Sequence, residues 1–295
     1  MSHLVLIAPA AFKGTLGPRQ VADALAAGVR RALPEASVLL CPISDGGDGL
    51  LDAVLPAGML RERLQVTGPL GDRVSAELGW IDPETAIFES ATACGIRLLR
   101  PDQLDPLRTT TRGVGELIWE AGERGAKRVV VGLGGSATVD GGTGMARGLG
   151  WTFRDSSGAG LLEGGGALGD LAALGGGWSL PAHVIGLADV TTPLVGPEGA
   201  ALVFGPQKGA TPEGARRLAQ GLELLARLMA DHGRPDLATL PGGGAAGERG
   251  KVRSAVVKGL IGLHALDGEG RTLDAAGLAA LGERATRQAF GLPAA

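Results

Sequence analysis

Apolar residues fall into short continuous runs and helical repeats that glycine and proline separate. The runs at 4–9 and 37–43 predict strands, and the repeat from about Pro18 to Leu33 predicts a helix between them. Pro18 near the start and Pro34 just past the end are where a helix tolerates proline. The pattern is typical of the ligand-binding α/β folds, in which loops at strand ends carry the chemistry.

The pattern changes to alternation between residues 60 and 100. Alternation with a turn at Gly71-Asp72 predicts antiparallel strands, so we expect an α+β unit to begin here. A strand closing at Glu89 and a helix from about Val114 to Glu123 follow.

Residues 129–150 predict a strand, a glycine-rich loop and a helix that includes Met145. Such a junction suits an anion, because glycine lets backbone amides approach closely and a helix N-terminus carries partial positive charge. Ser136 and Thr138 add hydroxyl donors, and Asp140 adds a carboxylate that can hold a metal or accept a proton. A structural turn with capping residues is the alternative interpretation.

The second half of the chain predicts a strand at 183–190 that ends in Asp189, a loop lysine at Lys208, and an amphipathic helix at 212–231. An aspartate at the end of a buried strand is a candidate base or metal ligand, with a turn carboxylate as the alternative. The glycine-rich segment 158–177 is expected to be a long surface excursion.

Polar residues also follow the first two predicted strands. Lys13 comes after the first strand, at the ligand edge of an open α/β sheet, although an ordinary exposed lysine would also fit. Asp45 and Asp48 stand among glycines after the second strand, where carboxylates can bind Mg²⁺ or accept a proton from a hydroxyl group. A structural turn is the alternative. Thr110, in a threonine cluster at a helix start, can cap the helix or bind a carboxylate or phosphate.

Composition narrows the function classes. With 28 Lys and Arg against 31 Asp and Glu, the chain has no charge excess for binding nucleic acid. The two cysteines, Cys41 and Cys94, are expected to be buried apolar positions, which fits a reducing compartment. No apolar run approaches the length of a membrane span and no signal peptide is evident, so we expect a cytoplasmic protein without a membrane partner.

Several runs, taken together and in order, resemble the bacterial-type (type I) glycerate kinase family. They are APAAFKGTL (8–16), PISDGGDG (42–49), FESATACGI (88–96), DPLRTTTRGVGELI (105–118), VGLGGSATVDGGTGMARGLG (131–150), LADVTTPLVGPEGA (187–200), FGPQKGATPE (204–213) and PGGGAAG (241–247). The resemblance implies a two-domain α/β protein: a flavodoxin-like parallel sheet domain (1–60 and 241–295) and an inserted α+β domain (61–240). It also implies ATP, Mg²⁺ and D-glycerate as reactants, with 2-phosphoglycerate as product.

The resemblance and the chemistry of phosphoryl transfer together assign roles. Gly134, Gly135, Ser136 and Thr138 form the expected phosphate cradle. Lys208 and Thr110 are expected to bind substrate or phosphate, and Asp140 and Asp48 to bind the metal. Catalytic roles fall to Lys13, Asp45 and Asp189, with Asp189 as the base.

The resemblance weakens after Gly247, where the chain is basic and only 48 residues remain. This predicts a contracted or incomplete flavodoxin-like domain whose exposed sheet edge favours homo-oligomers. The alternative function is a non-catalytic or impaired homologue that binds a small anion or nucleotide. A nicotinamide oxidoreductase is disfavoured because Ala137 stands where G-x-G-x-x-G needs its last glycine.

Overall fold

The computed structural model describes residues 3–12, 15–44, 46–178, 182–188, 190–231 and 235–244, and the single residues 276, 279, 280, 283 and 287. The chain divides into two compact units, Met1–Ala57 with Arg253–Ala295 and Gly58–Val252, here called the first and second units. Helices and a sheet rich in parallel pairs make it an α/β protein, as predicted.

The described residues form strands and α-helices in the following order along the chain. The strands are β1 (Leu4–Ile7), β2 (Ser37–Leu40), β3 (Arg61–Thr67), β4 (Arg73–Asp82), β5 (Thr85–Glu89), β6 (Arg128–Gly132), β7 (Thr152–Arg154), β8 (Ala173–Gly175) and β9 (His183–Leu187). The α-helices are α1 (Pro18–Ala32), α2 (Leu50–Val54), α3 (Ala91–Cys94), α4 (Arg112–Glu123), α5 (Thr143–Gly148), α6 (Ala200–Phe204) and α7 (Pro212–Asp231).

In the first unit, β1 and β2 pair in parallel and α1 connects them, which confirms the predicted order. Pro18 occupies the first turn of α1, where its missing N–H costs no hydrogen bond. The helix buries one apolar stripe, including Val21, Leu25 and Val29, against Ile7 of β1.

The second unit is built on one five-stranded sheet in the order β3-β4-β5-β6-β9. The β3-β4 hairpin is antiparallel around the turn at residues 68–72, which confirms the alternation prediction. β5, β6 and β9 are mutually parallel, so their carboxyl ends lie at one edge. A first core packs α4 on this sheet, with Phe88, Leu117 and Val131 among its buried residues.

A second core forms around α7, whose buried residues recur at helical spacing. Leu218, Leu222 and Leu225 pack there with Leu168, which comes from the glycine-rich segment 158–177. The prediction that this segment is a surface excursion is therefore wrong. Its glycines allow a short 3₁₀ helix, Gly165–Asp170, to approach α7 closely. The segment therefore contributes a buried side chain to the second core.

The two cysteines differ in burial. Cys94 is buried in the first core, as predicted, whereas Cys41 is exposed and its predicted burial is wrong. Cys41 directly follows the last residue of the short strand β2. Among the described residues, no helix or strand packs over its side chain. None of the helices in the described ranges has the length and hydropathy needed to cross a membrane.

Candidate active site

The candidate site lies in the second unit, at the edge where parallel strands end. Glu89 of β5 aligns with Gly132 of β6, and Gly132 aligns with Leu187 of β9. Ligands of open α/β sheets bind beyond the carboxyl ends of such strands. Polar residues leaving β5 and β6 are therefore placed at one edge, and this edge contains most of the predicted cradle.

The loop after β6 is fixed by the neighbouring loop after β5. The Ile96 amide donates to the Gly135 carbonyl at 2.9 Å, and the Ala137 amide donates to the Cys94 carbonyl at 2.8 Å. Gly135 has φ +77°, a left-handed conformation that L side chains rarely adopt. Within the described chain, the Gly134 and Gly135 amides have no hydrogen-bond acceptor, which suits an anion cradle.

Lys208 brings a buried cation to this loop. It is 8% exposed, and its Nζ donates to Ser136 Oγ at 2.9 Å and to the Thr138 carbonyl at 2.7 Å. The Phe204 ring centroid is 5.9 Å from Nζ, within cation–π range. Burial lowers the pKa of Lys208 to about 8, because desolvation penalises the ammonium more than the nearby Cys94 and Asp140 favour it. The structure thus brings Lys208, Ser136 and Thr138 together.

Asp140 stabilises the same loop from inside. Its Oδ2 accepts from the Thr111 amide, the Thr111 hydroxyl and the Gly144 amide, and its Oδ1 accepts from the Gly142 amide. It is 1% exposed. Because protein donors use both oxygens, this geometry favours a structural role that joins α4 to α5. The assignment of Asp140 as a metal ligand stays a prediction.

The threonine cluster combines capping with this network. Thr111 is the N-cap of α4, and its hydroxyl also accepts from the Met145 amide in α5 at 2.8 Å. The Thr110 hydroxyl is buried and accepts from the Arg112 amide at 3.2 Å. Thr110 therefore has a local structural partner, and its role in binding substrate stays a prediction.

A cavity of about 260 Å³, here called the Lys208 cavity, opens beside the loop. Its polar part includes Ser90, Ser136, Thr138, Asp140 and Lys208. The remaining wall is mainly apolar and includes Trp151, Phe153, Leu174, Leu222, Leu225 and Met229. One cavity wall thus combines an ammonium and hydroxyls with a large apolar surface, a composition typical of small-molecule sites.

The remaining predicted residues have two different outcomes. Lys13, Asp45 and Asp189, the three predicted catalytic residues, are outside the residues that the structure describes. Asp48 belongs to the first unit, in the turn before α2. Among the described residues, no group of three or more His, Cys, Asp or Glu side chains is placed to hold a metal ion.

Sequence reasoning missed Ser90 and the apolar wall. Ser90 directly follows β5, so the rule that ligands bind beyond strand ends could have identified it. The apolar wall includes Leu222 and Leu225 of α7 and Phe153 of β7. These elements are distant in sequence from the loop, so periodicity along the chain carried no signal that they meet there.

Comparisons with known proteins agree on one family. The sequence model of the glycerate kinase family matches residues 5–266. Glycerate 2-kinase of Escherichia coli K12 is 42% identical over 257 residues, which cover 85% of this chain and 68% of that protein. Glycerate kinase of Bacillus subtilis 168 is 44% identical over 71% of this chain and 56% of that protein.

A solved structure extends the similarity to three dimensions. The crystal structure assigned to glycerate kinase 2 of Salmonella typhimurium LT2 superimposes with a TM-score of 0.75 at 42% identity. The superposition covers 84% of this chain and 68% of that one. The aligned region thus spans between about half and two thirds of these relatives. With the motifs, the fold and the loop in agreement, the chain belongs to the glycerate kinase family.

Proposed function

We propose that this protein is an ATP-dependent glycerate kinase that transfers the γ-phosphoryl group of ATP to D-glycerate, gives 2-phosphoglycerate, and requires Mg²⁺. Family membership supports the reaction class. The reaction needs positioned donors and positive charge around phosphoryl oxygens more than it needs covalent chemistry from the protein.

The observation that carries the proposal is the contact between Lys208 and the loop after β6. Lys208 Nζ reaches Ser136 Oγ and the Thr138 carbonyl, beside the amides of Gly134 and Gly135. These groups offer N–H and O–H donors and one positive charge in a largely buried place. Preorganised donors of this kind stabilise charge that develops on a transferring group, because they need no rearrangement during the reaction.

The acceptor for the hydroxyl proton is assigned from sequence. Asp189 is the proposed base, with Lys13 and Asp45 as further catalytic residues, and all three lie outside the described residues. A carboxylate base would take the proton from the attacking hydroxyl of glycerate. The hydrogen bonds of Asp140 favour a structural role over a magnesium ligand, because its two oxygens already accept four hydrogen bonds from protein donors. Support for the Mg²⁺ requirement therefore comes from family membership.

An ADP-release assay tests the proposal. Purified protein is incubated with Mg²⁺, ATP and D-glycerate, with L-glycerate and no substrate as controls. We expect release with D-glycerate alone, and phosphorus NMR of the product to give the 2-phosphate. The Asp189→Asn variant should lose turnover by orders of magnitude while it unfolds at the temperature of the unmodified protein.

Two outcomes would contradict the proposal. Folded protein that binds ATP but releases no ADP with D-glycerate would favour a non-catalytic homologue. Release with another hydroxy acid but not D-glycerate would keep the kinase and change its substrate.

A further inference from the structure

Ser90 has a buried hydroxyl without a role in the proposed reaction. The residue is 4% exposed, and its Oγ makes no hydrogen bond within the described chain. It lines the Lys208 cavity, directly after β5. Buried hydroxyls are nearly always paired, because leaving one without a partner costs free energy. An unpaired hydroxyl in a cavity wall therefore points to a ligand.

The neighbouring groups have unused donors as well. An ammonium has three N–H donors, and Lys208 uses two of them on Ser136 Oγ and the Thr138 carbonyl. Ser136 Oγ acts as the acceptor in that contact, so its own proton is available to an acceptor elsewhere, and none is found among the described residues. Donors in excess of acceptors, beside a cation, call for a ligand that only accepts hydrogen bonds, which is an oxyanion.

The carboxylate in the same wall does not use these donors. Asp140 accepts its four hydrogen bonds from Thr111, Gly142 and Gly144. Its negative charge partly offsets Lys208, but its hydrogen-bonding capacity is directed to the loop and to α4. The donors of Ser90, Ser136 and Lys208 are thus left for a bound molecule.

The rest of the cavity limits what that molecule can be. Its wall is mainly apolar, with Leu222, Leu225 and Met229 from α7, Phe153 from β7 and Leu174 from β8. Glycerate carries a hydroxyl on two of its three carbons, and these hydroxyls would be unpaired against such a wall. A nucleotide has an oxyanion group and a flat base with an apolar face, so it matches both parts.

We propose that Ser90, Ser136 and Lys208 form an oxyanion site for a phosphate of the nucleotide, and that the apolar part of the Lys208 cavity receives the base. The inference rests on the proposed kinase activity and adds the place of the nucleotide and a new binding residue. It assigns the cavity to ATP and leaves glycerate to bind elsewhere.

Two variants separate the two parts of this site. Ser90→Ala removes one donor to the oxyanion, and Ala226→Leu adds volume to the apolar wall, which Ala226 lines. Binding is measured by calorimetry in the presence of Mg²⁺ with two separate probes. The first probe is ATP, and the second is tripolyphosphate, which has no base. The matched controls are Ser157→Ala and Ala172→Leu, which change exposed residues.

Ser90→Ala is expected to weaken both probes about tenfold, the loss of one hydrogen bond to a charged group. Ala226→Leu is expected to weaken ATP about tenfold or more, because the base loses its space, and to leave tripolyphosphate binding unchanged. The KM for D-glycerate should stay the same in both variants. Because Ser90 Oγ has no partner in the described chain, Ser90→Ala should not lower the unfolding temperature.

The inference is overturned if Ser90→Ala binds both probes normally, if its unfolding temperature falls as for a structural hydroxyl, or if Ala226→Leu raises the KM for glycerate and spares ATP. These results would leave the kinase activity of the unmodified protein standing. Conversely, the two variants could weaken binding as expected in a protein that never phosphorylates glycerate. That result would contradict the proposed function and support the nucleotide site.

Discussion

Lys208 Nζ lies 2.9 Å from Ser136 Oγ, so a cation on the short 3₁₀ turn Pro206–Lys208 meets a hydroxyl on the loop after β6. The two residues are far apart in sequence and are joined by packing in the second unit. This contact brings a positive charge to the glycine-rich loop, next to the Thr138 carbonyl. Its removal is therefore the most direct test of the site.

Replacement of Lys208 by Met should remove the charge and keep the packing. We expect kcat/KM for ATP to fall about 10²–10³-fold, the usual effect of losing one preorganised donor. The free energy of unfolding should change by less than about 1.5 kcal/mol, because a buried ammonium is replaced by an apolar chain of similar length. Steady-state kinetics and urea unfolding measure the two quantities.

The matched control is Lys127→Met. Lys127 is largely exposed and pairs with Glu84 at the surface, so both kinetics and stability should stay close to those of the unmodified protein. Equal loss of activity in the two variants would mean that Lys208 has no special role.

The pKa of Lys208 predicts a pH dependence for nucleotide affinity. Burial lowers the pKa of Lys208 to about 8, so the ammonium that attracts phosphate is lost as the pH rises through that value. We expect the Kd for ATP to increase by roughly tenfold per pH unit above pH 8. Cys94 does not titrate in this range, since burial raises its pKa to about 12.

The Lys208→Arg variant is the control for this profile, because a guanidinium stays protonated throughout. Its Kd for ATP, whatever its value at pH 7, should be flat between pH 7 and 10. A slope in the variant equal to that of the unmodified protein would assign the titration to another group.

Stability should respond to the same group with the opposite sign. Between about pH 8 and 10.5 the folded protein holds Lys208 neutral while the unfolded chain still binds its proton. The unfolded state then binds more protons, so the contribution of Lys208 to the free energy of unfolding rises with pH in this window. Comparing urea unfolding of the unmodified protein and Lys208→Met at pH 7, 8, 9 and 10 isolates this contribution.

Asp140→Asn distinguishes a structural carboxylate from a metal ligand. Both oxygens of Asp140 accept from protein donors, Thr111 and Gly144 at one and Gly142 at the other, so the NH₂ of an asparagine would face a donor in either orientation. We expect the free energy of unfolding to fall by about 2–4 kcal/mol, with or without Mg²⁺, because buried donors lose their acceptor. Thermal unfolding in EDTA and in excess Mg²⁺ measures it.

Asp155→Asn is a suitable control, since Asp155 also accepts from backbone amides but in an exposed turn. Asp155→Asn should lower the free energy of unfolding much less than Asp140→Asn does. If Asp140→Asn instead left stability in EDTA unchanged and removed only the effect of Mg²⁺, Asp140 would be a metal ligand.

Leu168→Ala tests whether the glycine-rich segment is part of the core. Leu168 is 1% exposed and packs against α7, so its truncation should lower the free energy of unfolding by about 2.5–5 kcal/mol. Leu162, in the same segment, is 80% exposed, and Leu162→Ala should change it by less than about 0.5 kcal/mol. Equal effects of the two substitutions on stability would mean that the segment is not part of the core.

The sequence could predict features that depend on neighbours along the chain. The alternation around Gly71, the amphipathic repeat of α7 and the donor-rich loop at Ser136 are all local, and each is present. Features that depend on distant partners could not be predicted. The burial of Leu168 depends on α7, and the exposure of Cys41 depends on what covers the end of β2. Local composition does not encode these contacts.

The close approach of α4 to α5 gives the last prediction. A Cβ on Gly115 would lie 2.0 Å from the Met145 carbonyl oxygen, which is backbone and cannot rotate away. Gly115→Ala must therefore push α5 from α4 and disturb the Asp140 network that joins them. We expect a loss of about 3 kcal/mol in the free energy of unfolding from overpacking, and weaker ATP binding since the loop before α5 shifts.

Gly160→Ala is the control, because a Cβ there meets nothing within 4 Å. Urea unfolding with an unchanged m-value would show that the variant loses stability without losing its fold. Equal stability of the two variants would mean that α5 can move at no cost, and the Asp140 network would then not be what fixes the loop.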